Sequence, residues 1–228
     1  MPSQLILDLP VRPALGREDF FVSAANAVAV DALDAWRDWP GGKLALIGPA
    51  GAGKTHLASV WASETGARIV QALDLPDTEI EPLAGAGHVA VEDVHRISGN
   101  AEAEAALFHL HNMLLAEGGR LLLTGREAPS RWGLALPDLA SRMEGTPVTK
   151  IDAPDDALLG VVMVKLFADR QIAVDASVIS YLAGRMERSF DFAHRLVEAL
   201  DRASLSEKRA VTRPLAARVL DKLAETGA

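Results

Sequence analysis

Eight consecutive residues, Gly48-Pro49-Ala50-Gly51-Ala52-Gly53-Lys54-Thr55, have the types and spacing of a phosphate cradle, G-x-x-x-x-G-K-[ST]. Glycines let backbone N–H groups turn inward around phosphate oxygens, and a helix starting at the lysine adds its N-terminal partial positive charge. In that chemistry Lys54 reaches the β- and γ-phosphates and the Thr55 hydroxyl coordinates Mg²⁺. His56 follows in the first turn of the helix. A second element is the pair Glu92-Asp93 at the end of the apolar run His88-Val89-Ala90-Val91. One carboxylate suits the Mg²⁺ shell, together with Thr55, and its neighbour suits polarising a water. Thr124 closes a further apolar run, where its hydroxyl can sense a γ-phosphate or that water.

These residues need a scaffold that delivers them to one edge. The runs 43–48, 67–72, 88–91, 120–124 and 148–151 are short and apolar, as strands buried on both faces are, and the intervals between them fit crossover helices. The expectation is an α/β P-loop NTPase base with a parallel five-stranded sheet and helices on both faces. Ligand sites in such sheets lie at the carboxyl ends of the strands. After Pro154 the pattern becomes wholly helical, over 155–171, 175–186, 189–206 and about 212–225, with Asp175 and Ser189 placed as N-caps. We therefore expect three segments: 1–18 as a peptide and linker, 19–153 as the α/β base, and 154–228 as a small all-helical lid.

Composition narrows the functional classes. The 228 residues include no cysteine and carry a formal charge of −8. Disulfides and thiolate metal sites are excluded, and unaided binding to a nucleic-acid backbone is disfavoured. No apolar run approaches the ~20 residues of a membrane helix, so a cytoplasmic protein without a membrane partner is expected. His109 and His111 are two residues apart, do not share a helix face and make a poor metal pair. Trp36 and Trp39 are expected to pack on the base, and Arg202, Lys208, Arg209 and Arg213 to form a solvated lid face.

Narrower evidence comes from strings of residues. Gly53-Lys54-Thr55-His56-Leu57 resembles the corresponding run of DnaA, the AAA+ replication initiator, and Asp19-Phe20-Phe21-Val22 with Asn26 resembles the segment that wraps round its adenine. Leu136-Pro137-Asp138-Leu139-Ala140-Ser141-Arg142-Met143 is similar to the segment carrying the family's arginine finger, and Leu200-Asp201-Arg202-Ala203-Ser204 to the lid of Hda-type regulators. The resemblance, over about 19–205, implies an AAA+ protein that holds ADP or ATP with Mg²⁺, with weak or no turnover of its own. It implies that Arg142 is offered in trans to ATP held by DnaA, so as to limit replication initiation. The chain ends where DnaA would begin its helix-turn-helix, which implies an initiator core without direct sequence-specific DNA binding. Self-association through AAA+ interfaces is a further implied contact.

Against that background Gln4-Leu5-Ile6-Leu7-Asp8-Leu9 matches the hexapeptide that docks on the DNA polymerase III sliding clamp (the β subunit) in Hda-type regulators. Each leucine buried in a pocket is worth about 1.5–3 kcal/mol gross, much of it cancelled by ordering the peptide. The alternative is an edge strand of the base. The sequence departs from the family pattern at two site positions. Glu92 stands where Asp is usual, and Asp191 aligns with the lid arginine that senses the γ-phosphate; either Arg188 or Arg195, one turn either side, substitutes, or that sensing is lost, which favours an ADP-bound role. A DnaC-like helicase-loading ATPase and a DnaA-recruiting adaptor without catalytic contribution are the competing readings. Residues 4–9 and Arg142 discriminate among them.

Overall fold

The computed structural model describes residues 21–207 and 209–226. Among these, the residues up to Asp152 form one compact unit and those from Ala153 onward another. In the first unit the chain order is α1 (Ala27–Asp34), β1 (Lys43–Ile47), α2 (Lys54–Thr65), β2 (Arg68–Gln71), α3 (Ile80–Ala84), β3 (His88–Glu92), α4 (Ala101–Ala116), β4 (Arg120–Gly125), α5 (Pro137–Glu144) and β5 (Val148–Lys150). The strands form one sheet in the order β2-β3-β4-β1-β5, and every pairing is parallel.

Alternation along the strands builds the two faces. Leu44 and Leu46 of β1, Ala90 of β3 and Leu122 of β4 enter a core with Ala29, Val30 and Leu33 of α1 and Leu57, Val60 and Trp61 of α2. Their neighbours Ala45, Val89, Val91, Leu121 and Leu123 enter the opposite core with Leu107, Leu110 and Leu114 of α4 and Leu139 and Met143 of α5. Each fully buried leucine contributes about 2 kcal/mol by area. Trp39 is buried, donates from Nε1 to the Ala32 carbonyl at 2.7 Å and stacks on Trp61 at 5.3 Å between ring centroids. The Trp36 and His88 rings meet edge to face with centroids 5.0 Å apart.

The second unit is α6 (Asp156–Asp169), α7 (Ala176–Ala183), α8 (Phe190–Glu207) and α9 (Arg213–Thr226) around its own apolar core. Its helix starts are legible in the sequence: Asp175 Oδ1 accepts from the Ser177 N–H at 2.8 Å and Ser189 Oγ from the Phe192 N–H at 3.2 Å. Asp155 does the same for α6, accepting from the Leu158 N–H at 2.7 Å. Of the lid cations, Arg202 pairs with Glu198 at 3.5 Å, Arg209 with Glu207 at 3.9 Å, and Arg213 lies over the Tyr181 ring at 4.6 Å. Lys208 lies outside the described residues.

One buried acid ties α4 to α5. The Glu104 carboxylate, 1% exposed, accepts from the N–H groups of Gly99 at 2.9 Å, Ala135 at 3.0 Å and Leu136 at 2.6 Å. Burial pushes its pKa up, but the three amides together outweigh burial and hold it below the ordinary value. Because the folded value is depressed, its stabilisation is complete above the unfolded pKa and is lost as pH falls through the folded one. Replacing Glu104 with Gln turns an NH₂ toward amide donors, and urea unfolding at pH 7 is expected to show a loss of about 2 kcal/mol. Between pH 5 and 3 the parent is expected to lose stability more steeply than the variant.

Candidate nucleotide site

The site is built at the carboxyl edge of three adjacent strands, β3, β4 and β1. Register fixes the levels: Val91 lies opposite Leu123, Leu46 opposite Thr124, and Ile47 opposite Gly125. Glu92 and Thr124 are therefore level at this edge, and Gly48 leaves β1 two residues beyond them. Gly48 donates its N–H to the Gly125 carbonyl at 3.2 Å, and a Cβ on it would sit 2.3 Å from the Ile151 carbonyl oxygen. Only glycine passes there. Gly51 and Gly53 have φ of 68° and 97°, the left-handed region that costs other residues strain. Ala52 is buried between them, Ala50 is exposed, and Pro49 contributes its carbonyl to the turn through the Ala52 N–H at 3.4 Å.

The Lys54 side chain is buried, and its Nζ donates to the carbonyls of Gly48 and Pro49 at 2.8 Å each. The ammonium is thus bent back over the loop whose N–H groups the glycines free. Thr55 and His56 follow in the first turn of α2, both exposed. Opposite, Glu92 is 3% exposed; its Oε2 accepts from Gln71 Nε2 at 2.8 Å, while its Oε1 is buried without a hydrogen-bond partner. Asp93 adopts φ 55° and ψ 43°, uncommon for a residue with a side chain. Its N–H donates to Thr124 Oγ1 at 3.0 Å, which holds that strained turn. Thr124 therefore uses a lone pair to position Asp93.

These residues suit nucleotide and Mg²⁺. Mg²⁺ takes one or two protein oxygens and completes its octahedron with water and phosphate. An exposed threonine hydroxyl and an orphaned buried carboxylate oxygen match that donor set, and Glu92 supplies it with one more methylene than aspartate would. Among the described residues no group of three or more His, Cys, Asp or Glu could hold a metal by protein ligands alone. Mg²⁺ in such a site neutralises charge on the β- and γ-phosphate oxygens.

Two residues that the sequence did not single out join this edge. His95 follows Asp93 by two residues, and burial holds its pKa below the ordinary value, Asp93 opposing and Arg126, Lys54 and Arg96 adding to the shift. Lys54 and Arg126 therefore both bear on one imidazole. Neither has a local signature, since Arg126 is placed by the β4 to β1 pairing at Gly125.

Arg142 is elsewhere. It lies exposed in the last turn of α5, with its guanidinium 5.3 Å from the Phe108 ring centroid and its carbonyl accepting from Lys43 Nζ at 2.5 Å. Lys43 begins β1, and the phosphate loop follows the strand's other end. At ~3.3 Å per residue the strand puts about 13 Å between them. Asn26 is buried and its amide is used locally, Oδ1 accepting from the Ser23 N–H at 2.8 Å and Nδ2 donating to the Phe21 carbonyl at 2.9 Å. In the lid, Arg188 pairs with Asp156 at 3.0 Å, Asp191 lies in the first turn of α8, and Arg195 sits over Phe192 at 5.4 Å. Arg195 also lines a lid cavity of about 350 Å³ with Tyr181, Arg185 and Leu223. Gln4, Leu5, Ile6, Leu7, Asp8 and Leu9 lie outside the described residues, as do Asp19 and Phe20.

Comparison with known proteins places this geometry. Residues 162–220 match the Hda lid domain family. An uncharacterized protein of Haemophilus influenzae is 27% identical over 185 residues, covering 77% of this chain and 80% of that one. Domain III of the Thermotoga maritima replication initiation protein DnaA superposes with a TM-score of 0.76 at 19% identity, covering 93% of this chain and 98% of that one. AMPPCP-bound DnaA from Aquifex aeolicus gives a TM-score of 0.62 at 21% identity, covering 84% and 68%. The fold of the chain is that of an AAA+ protein.

Replacing Gly48 with Ala drives a methyl into the Ile151 carbonyl. Overpacking of this kind costs about 1–3 kcal/mol, and thermal unfolding is expected to show a lower Tm.

Proposed function

We propose that this chain is a DnaA-related AAA+ protein with an Hda-type lid, and that it regulates replication initiation by completing a catalytic site on DnaA. In this reading residues 48–55 hold an adenine nucleotide, ADP or ATP, with Mg²⁺ held through Thr55 and Glu92. That nucleotide serves chiefly as a brace, and own turnover through Asp93 and Thr124 is slow. The AMPPCP bound to the Aquifex aeolicus DnaA supports an adenine nucleotide as the ligand. Arg142 is then offered across an interface to the γ-phosphate of ATP on DnaA. Residues 4–9 tether the protein to the sliding clamp, and Arg188 or Arg195 is the lid's contact to its own nucleotide.

One observation carries the trans reading. Arg142 is exposed and anchored at the opening end of β1, whereas the phosphate loop leaves the closing end. A guanidinium held there cannot serve its own cradle, but it is available to a neighbour's. Such an arginine is worth about 10³–10⁵ in rate.

The test is single-turnover hydrolysis of ATP preloaded on DnaA, with this protein and DNA-loaded clamp. The parent is expected to accelerate hydrolysis, and removing residues 1–10 is expected to abolish the clamp's contribution. Acceleration that needs neither clamp nor those residues would contradict the tether. Replacing Lys54 with Ala is expected to weaken binding of a fluorescent ADP analogue at least 100-fold, and unchanged affinity would refute the cradle assignment.

A further inference from the structure

The end of α5 is held by a relay that begins in α4 and passes through the first residue of β1. His111 is 4% exposed, and its Nδ1 lies 3.2 Å from Asn112 Oδ1 while its Nε2 lies 3.4 Å from Lys43 Nζ. An ammonium can only donate, so Nε2 is the acceptor, and the ring proton sits on Nδ1 and points to Asn112. That tautomer is neutral. Burial holds the His111 pKa below its ordinary value, with Lys43 and Arg142 adding and Asn112 opposing. Lys43, half-buried, is itself shifted down, by burial first and by Arg142 second.

Lys43 then donates to the Arg142 carbonyl at 2.5 Å, and Thr146 Oγ1 donates to the same oxygen at 3.2 Å. Carbonyls in the last turn of a helix have no partner within it, and a cation there is favoured by the helix dipole. Lys43 meets both needs. Its own position is fixed by β1, where Lys43 lies opposite Leu121 of β4 and the strand is paired with β5 as well from Ala45 onward. The Phe108 face supports the guanidinium at 5.3 Å. Backbone and side chain of Arg142 are thus held from different elements, although the residue is exposed.

We propose that Lys43 is a positioning residue for Arg142: by capping the last turn of α5 from the start of β1, with His111 as its acceptor, it aims the guanidinium at a phosphate held by a second protein. This rests on the trans-arginine reading. A group that acts only through another's position is felt in the rate at saturation, and a misplacement of about 1 Å can cost up to 10²-fold.

The experiment titrates this protein into DnaA loaded with ATP and reads single-turnover hydrolysis for the parent and for Arg142→Ala, Lys43→Met and Lys43→Arg. Expected results are loss of acceleration in Arg142→Ala, and in Lys43→Met a fall of about 10-fold in the saturating rate with the half-saturating concentration within 2-fold. Lys43→Arg retains a donor to the carbonyl and is expected to recover the rate to within about 3-fold. Fluorescent ADP binding to the Lys43 variants is expected to be unchanged, showing that they are folded. If Arg142→Ala fails and Lys43→Met keeps the parent's rate, the positioning role is overturned while the arginine reading stands. A Lys43→Met that loses half-saturation or ADP binding, or that Lys43→Arg does not rescue, shows a general structural role and also overturns it. An Arg142→Ala that accelerates like the parent removes the arginine reading and this proposal with it.

Discussion

Parallel pairing is the constraint on which the rest depends. In a sheet whose strands all run one way, every carboxyl end lies at one edge and every amino end at the other. Gly48 follows β1, Glu92 ends β3 and Thr124 is the penultimate residue of β4, so they are neighbours by topology, without any long loop to bring them together. The same rule sends Lys43, and with it the end of α5, to the opposite edge. A five-residue strand is enough to separate the two chemistries. Cradle and exposed arginine share one central element and still cannot meet.

The cradle is held by close approaches and by strain more than by ion pairs. Gly48 passes the Ile151 carbonyl where a methyl would not fit, two glycines adopt left-handed backbone, and Asp93 is kept in an uncommon conformation by Thr124. Backbone held in this way costs of order 1–3 kcal/mol per site and persists only where the surroundings impose it. Buried strands with apolar side chains on both faces supply that rigidity. Glu92 adds a buried carboxylate with one oxygen satisfied by Gln71 and one without a hydrogen-bond partner.

Much of this could be read from the chain. The five apolar runs became the five strands within a residue or two, and the glycine spacing marked the turn before α2, because both signals are local. Asp175 and Ser189 cap helices for the same reason. The contacts that escaped are those made between distant segments. Lys43 meets His111 and Arg142 across 68 and 99 residues, and Glu104 meets the amides of Ala135 and Leu136 across 31 and 32. No periodicity or motif encodes such a pair. His111, judged from its spacing to His109, has no metal role suggested by sequence; its buried contact with Lys43 could be found only once the strand order was known. Arg126 is hidden likewise, since its place beside the cradle follows from pairing of β4 with β1.

The central claim is that a cationic side chain of this protein enters a partner's phosphoryl-transfer site. The most direct measurement is trapping with aluminium fluoride, which with ADP mimics the transferring phosphoryl group. Size-exclusion chromatography of this protein with DnaA–ADP and aluminium fluoride is predicted to give a stable complex for the parent and none for Arg142→Ala. Equal complex formation by both, or by neither, would contradict the account.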